Sequence, residues 1–171
     1  TDIRGFTSII EKLKPAESIA LINKYISLQA DVVRAHGGSV DKYMGDAVLV
    51  IFEGHDAMQR AIGCAQAILA QVERLNESEP QAIFVGIGLS FGPVVMGNMG
   101  SESRMEHTVI GPAVNLAARL CSLAKPGQLV IASRLYEQYG DTFGSKCISS
   151  MTTEVVDVKG FTDPIEIVRI Q

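Results

Sequence analysis

Two aspartates carry the first hint of chemistry. Asp2 opens the stretch DIRGFTSI, and Asp46 lies in VDKYMGDAVLVIFE beside a run of apolar side chains. Taken singly, each is an ordinary loop or turn aspartate. Brought together on neighbouring strands, they become a cation site. Two like charges ~4 Å apart repel by roughly 4 kcal/mol at an effective dielectric near ~20. A divalent cation converts that repulsion into attraction. Hard oxygen ligands suit magnesium, which takes one or two carboxylates and completes its shell with phosphate oxygens. Two such ions sharing two carboxylates activate a nucleophilic oxygen and steady the opposite end of the reaction. Gly5, Phe6 and Thr7 precede a short helix expected to begin near Ser8. Backbone N–H groups at such a start attract anions, so this turn beside a metal carboxylate would cradle a polyphosphate.

A second group lies in EHTVIGPAVNLAARLCS, residues 106 to 122. Pro112 suits the first turn of a helix. Asn115, Arg119 and Ser122 then share one face, surrounded by Val114, Leu116, Ala117, Ala118, Leu120 and Cys121. A narrow polar stripe on a mostly buried helix implies an enclosed polar partner, because buried polar groups need hydrogen bonds. Arg119 suits a phosphate oxygen and Asn115 a sugar. The competing reading is a solvated face with small neighbours, and spacing alone does not separate the two.

The elements that must position these residues are legible from periodicity. Residues 15 to 36 read as a helix with Pro15 in its first turn, an apolar stripe of Ile19, Ile22, Ile26 and Val33, and Gly37-Gly38 as its end. Residues 39 to 44 and 47 to 53 read as two strands joined by a Gly45-Asp46 turn. The continuous apolar run AVLVIF predicts a strand covered on both faces. A helix over roughly 56 to 75 follows. AIFVGIGLSFG alternates Ile83, Val85, Ile87, Leu89 and Phe91 with residues that are mostly small, as a strand does. A helix is expected over 112 to 123, then a strand at GQLVIAS, a short helix over 134 to 140, and two or three closing strands. Strand, helix, hairpin, helix, strand is the split βαβ plan. The expected fold is therefore α+β and ferredoxin-like, an antiparallel sheet with helices packed on one face. The 171 residues suit one domain. The chain opens inside a motif, so it is expected to be a piece of a larger protein, with most of its first strand upstream of Thr1.

Bulk properties narrow the function classes. The net charge is −4, with no basic face for nucleic acid and no segment long enough for a membrane span. Three scattered cysteines, Cys64, Cys121 and Cys147, form no CxxC and suggest reduced, mostly buried thiols in a cytoplasmic setting. His36, His55 and His107 are far apart and suggest no zinc site.

TDIRGFT, DKYMGDAVLVIF, GIGLSFGPVVMGNMGSESR, VIGPAVNLAARL and VKGFTDPIEIVRI follow one another in an order and spacing that resemble the class III nucleotidyl cyclase catalytic domain. The resemblance implies conversion of a nucleoside triphosphate to a cyclic nucleotide and pyrophosphate, in the cleft of a head-to-tail homodimer. It implies that Asp2, Asp46 and the Ile3 carbonyl hold two divalent cations, Mg²⁺ or Mn²⁺. It implies that Lys42 and Thr108 contact the base, Asn115 positions the ribose, Arg119 stabilises the α-phosphate, and Lys159, with Arg104, binds the terminal phosphates. Asp41 receives no role and is expected to face solvent. An upstream sensor or regulatory domain is expected in the full protein. Thr108 stands where many adenylate cyclases have aspartate, and Pro112 where the family often has Asp or Asn. The base itself follows from chemistry. Adenine offers an acceptor at N1 and a donor at its exocyclic amine. Lysine is donor-only, and a threonine hydroxyl can accept. Guanine reverses this edge and would leave donors unpaired. The expected function is thus adenylate cyclase acting on ATP. Guanylate cyclase, or a silent nucleotide-binding regulatory module, is the alternative.

Overall fold

The computed structural model describes residues 1–143 and 150–171. Cys147 lies outside them; Cys64 and Cys121 are buried free thiols, as expected of both. In chain order the elements are β1 (Asp2–Ile3), α1 (Phe6–Ile10), α2 (Pro15–Ala35), β2 (Ser39–Met44), β3 (Ala47–Ile51), α3 (Ala57–Asn76), β4 (Val85–Leu89), β5 (Val95–Ser101), β6 (Arg104–Ile110), α4 (Pro112–Leu123), β7 (Leu129–Ala132), α5 (Ser133–Tyr139), a 3₁₀ turn (Gly140–Phe143), β8 (Met151–Val156) and β9 (Ile165–Ile170). A seven-stranded sheet runs β2-β3-β1-β4-β7-β9-β8, and β5 and β6 form a separate ribbon. Its first four strands have the split βαβ order. The sheet is antiparallel except where β4 meets β7 in parallel.

The hairpin forms because Gly45 adopts φ 67°, a left-handed conformation that costs glycine little. Helix α2 starts on Pro15, with the Glu17 carboxylate accepting from the Lys14 N–H at 2.9 Å. Its buried face differs from the expected stripe. Ile19 is 60% exposed, whereas Tyr25, Gln29, Val32 and Val33 are buried. The polar members of that face are tolerated because they are satisfied: the Tyr25 hydroxyl donates to Asn76 Oδ1 at 2.8 Å, and Gln29 Nε2 to the Tyr25 carbonyl at 3.2 Å.

The helices do not share one face of the sheet. The larger core joins α2, α3 and α5 to Val85, Ile87, Leu129, Ile131 and Val168. A second core joins Leu116, Leu120 and Ala124 to Val130 and Ile167 on the opposite face. Helix α4 can lie there because Gly86 and Gly88 leave a bare track. A Cβ on Gly88 would sit 2.1 Å from the Cys121 amide nitrogen and 2.2 Å from the Ala117 carbonyl oxygen. Glycine is used here for close backbone approach. The expectation that β3 is covered on both faces also fails within one chain. Val48 is buried, but Ala47 and Leu49 are only half-buried and line an open cleft.

Candidate active site

Sheet register brings the two aspartates together. Asp2 pairs with Ala47 on one side and Gly86 on the other, and the turn holding Asp46 immediately precedes Ala47. Cross-strand partners point to the same face, so Asp2 lies on the α4 side while Ile3 enters the larger core. The Asp46 carboxyl lies close enough to that of Asp2 for the two to influence each other's charge. Burial first, and then the neighbouring Asp2 carboxyl, push Asp46 up to about 6, against smaller downward pulls from its own backbone N–H and from Arg4. A carboxyl raised by burial beside a second carboxylate marks a place where a bound cation would be favoured.

Arg4 is a positioning group that sequence reading passed over. Its guanidinium pairs with the Asp2 carboxylate and also donates to the Ala124 carbonyl at 3.3 Å, tying β1 to the end of α4. Asp2, Ile3, Gly5, Phe6, Thr7 and Asp46 line a cleft of about 360 Å³. The Ile3 side chain is in the core, so it offers this cleft its backbone. Gly5, at φ 68°, is the N-cap of α1, which starts two residues before the expected Ser8.

Lys42 and Thr108 meet in a second cleft, of about 480 Å³, which Asp2, Met44, Met99 and Asn115 also line. Lys42 Nζ donates to Thr108 Oγ1 at 2.5 Å. Thr108 is buried, and its hydroxyl donates to Asp41 Oδ2 at 3.4 Å. Asp41 does not face solvent as expected: its side chain is 4% exposed and its carboxylate lies 3.6 Å from Lys42 Nζ. The cause is a register shift between Val40 and Lys42. Val40 packs on the larger core, so strict alternation would send Lys42 the same way. The extra residue turns Lys42 and Met44 to the cleft side instead.

Helix α4 is less enclosed than expected. Asn115, Arg119 and Ser122 are solvent-exposed in the single chain. Ser122 donates to the Ala118 and Arg119 carbonyls of its own helix at 3.0 and 2.9 Å and so leaves the ligand set. Asn115 lines the cleft; Arg119, Arg104 and Lys159 line neither cleft. Arg104 pairs with Glu106 at 3.0 Å near the start of β6, and Lys159 is exposed between β8 and β9. One chain therefore unites the two carboxylates, and separately the lysine–threonine pair with Asn115. The three cationic side chains stay apart from both. The β5–β6 ribbon that delivers Thr108 is not among the expected strands; the β-branched run Thr108, Val109 and Ile110 was its available signal.

Comparison with known proteins places this geometry. The model of the adenylate and guanylate cyclase catalytic domain matches residues 1–168. An uncharacterized protein of Mycobacterium tuberculosis strain H37Rv is 34% identical over 168 residues, 97% of this chain and 29% of its own length. A second from the same strain is 40% identical over 139 residues, covering 78% of this chain and 25% of its own. The chain thus spans less than a third of these relatives. Among solved structures, the guanylyl cyclase Cya2 superposes with a TM-score of 0.84 at 35% identity, covering 99% of this chain and 87% of its own. The adenylyl cyclase CyaB from P. aeruginosa gives 0.84 at 28% identity, with 99% and 90% covered. No helix among the described residues is long and apolar enough to cross a membrane. The fold that carries Asp2 and Asp46 is shared with these adenylyl and guanylyl cyclases, and the chain belongs to the adenylate and guanylate cyclase catalytic domain family.

Proposed function

We propose that the domain is an adenylate cyclase, forming 3′,5′-cyclic AMP and pyrophosphate from ATP in a cleft shared by two copies of the chain. The observation that carries this is the Asp2–Asp46 pair, two carboxyls that strand register sets side by side, with Asp46 pushed up to about 6. Their hard oxygens and the Ile3 backbone fit divalent cations, Mg²⁺ or Mn²⁺. When bound, such ions neutralise the triphosphate and make the ribose 3′-hydroxyl a better nucleophile.

The chain's own groups do the rest. The α1 turn at Gly5, Phe6 and Thr7 lines the phosphate end of the carboxylate cleft. Lys42 donates to adenine N1, and Thr108 accepts from the exocyclic amine. Asn115 orients the ribose so that its 3′-oxygen lies in line with the α-phosphorus. Arg119 faces the charge that builds on the α-phosphate, and Lys159 and Arg104 hold the terminal phosphates. Asn115 and Arg119 have no side-chain hydrogen-bond partner among the described residues. That supports a site completed by a second copy, with the aspartates of one chain facing Asn115 and Arg119 of the other. In the full protein we place an upstream sensor or regulatory domain before this one.

The similarity to guanylyl cyclase Cya2 favours a second reading, cyclisation of GTP. The donor-only Lys42 speaks for adenine. Cyclic nucleotide formation from ATP and from GTP, with each metal, decides between them; turnover of neither leaves a silent nucleotide-binding module. Asp46→Ala and Arg119→Ala chains are each expected to be inactive. Mixed, they should regain up to about a quarter of wild-type activity, since one intact site forms in half the dimers. Activity should vanish in chelator.

A further inference from the structure

The residue that the structure moves furthest from expectation is Asp41. It is the extra residue at the β2 irregularity, its side chain is 4% exposed, and its only polar neighbours among the described residues are Lys42 and Thr108. The geometry points to Asp41 as a positioning residue that sets which way the Thr108 hydroxyl points, and thereby makes the base pocket selective for a 6-amino over a 6-oxo purine. This rests on the assignment of Lys42 and Thr108 to the base.

The argument is one of counting protons. A threonine hydroxyl has one proton and two lone pairs, an ammonium has three protons and no acceptor, and a carboxylate only accepts. Lys42 Nζ lies 2.5 Å from Thr108 Oγ1 and must be the donor there, which uses one lone pair. The Thr108 proton cannot turn toward an ammonium. It goes to Asp41 Oδ2 at 3.4 Å. What remains of the hydroxyl for the cleft is a lone pair. Lys42 gives one proton to Thr108 and faces Asp41 with another at 3.6 Å, keeping a third for the ligand. The cleft therefore presents one fixed donor and one fixed acceptor. A purine with an amine at position 6 and a bare N1 matches both. A 6-oxo purine sets a carbonyl against the Thr108 lone pair and an N–H against the ammonium. The mismatch is costly because Thr108 is buried and finds no water in exchange. Without Asp41, the hydroxyl could rotate and offer its proton to a 6-oxo group.

The test compares kcat/KM for ATP and for ITP, which is 6-oxo and lacks the 2-amine of GTP, in the full chain. The variants are Asp41→Ala, Thr108→Val and the double variant, each first shown by thermal melting to be folded. Asp41→Ala removes the acceptor and should lower the ATP-to-ITP ratio about tenfold, mainly through KM for ATP. Thr108→Val should lower it comparably, and the double variant should go no further, because Asp41 acts through Thr108. A role in folding alone scales both substrates equally and leaves the ratio unchanged. A shifted ratio in Thr108→Val with a wild-type ratio in Asp41→Ala overturns the role of Asp41 while leaving the base assignment intact. An unchanged ratio in Thr108→Val overturns the base assignment itself. Should Asp41→Ala not fold, Asp41→Leu carries the same expectation and the same refutation.

Discussion

Asp46 links protonation to stability. Its folded value of about 6 lies above the ordinary carboxylate value of 3.8, first because of burial and then because of Asp2. A carboxyl raised on folding holds its proton longer in the folded state. Metal-free protein should therefore lose stability as pH rises from about 4 to 6 and then level off. The group is partly exposed, so solvent screening limits the effect to about 1 kcal/mol. Asp46→Asn should remove that slope and raise the melting temperature of the metal-free protein at neutral pH; a slope that persists assigns it to other groups. Base choice belongs to the same scale. Lys42→Glu with Thr108 changed to a donor-only residue should move preference from ATP toward GTP, read as the ratio of initial rates. Residue types alone reached Lys42, Thr108 and both aspartates as candidates. They did not reach Asp41 or Arg4, whose importance lies in what they touch: Thr108 for one, Asp2 and the Ala124 carbonyl for the other.

Among the elements, α4 is the one whose placement depends most on a small residue. Gly88→Ala would drive a methyl into helix backbone at 2.1 and 2.2 Å, where no rotamer change gives relief. A loss of at least about 3 kcal/mol is expected, read as a melting temperature lower by roughly 10 °C. A variant that melts with wild type would show that α4 is not seated there. Most elements were legible because period-two and period-3.6 patterns are strong in VGIGL, AMQRAIGCAQAIL and PAVNLAARLCSL. Periodicity tells which side of a helix is buried but not on which face of a sheet it lies, so it does not separate helices on one face from helices on both. The small residues at 86 and 88 were the usable clue. The irregularity in β2 was not legible, since nothing in SVDKYM departs from an ordinary strand.

At the scale of the whole molecule, the cleft side is bordered by apolar groups left in water. Tyr43 and Met44 on β2, and Val95, Met96, Met99, Met105 and Ile110 on the ribbon, are all exposed, Val95 to 72%. Patches of this kind mark contact surfaces. Specific activity is expected to rise with protein concentration as copies associate. Val95→Asp should weaken association in sedimentation and lower activity at a given concentration, without lowering the melting temperature; equal association in both proteins would place the contact elsewhere. A site completed by a second copy is implied by the family resemblance; periodicity, which describes neighbours along one chain, does not show it. The glycine track under α4 has a last consequence. A helix whose peptide groups rest directly on a strand has no slack for gliding or tilting. Asn115 and Arg119 are thus fixtures of a stiff block, and in the proposed dimer the gap between them and a nucleotide held by a second copy would be tuned only by swinging one entire block against the other.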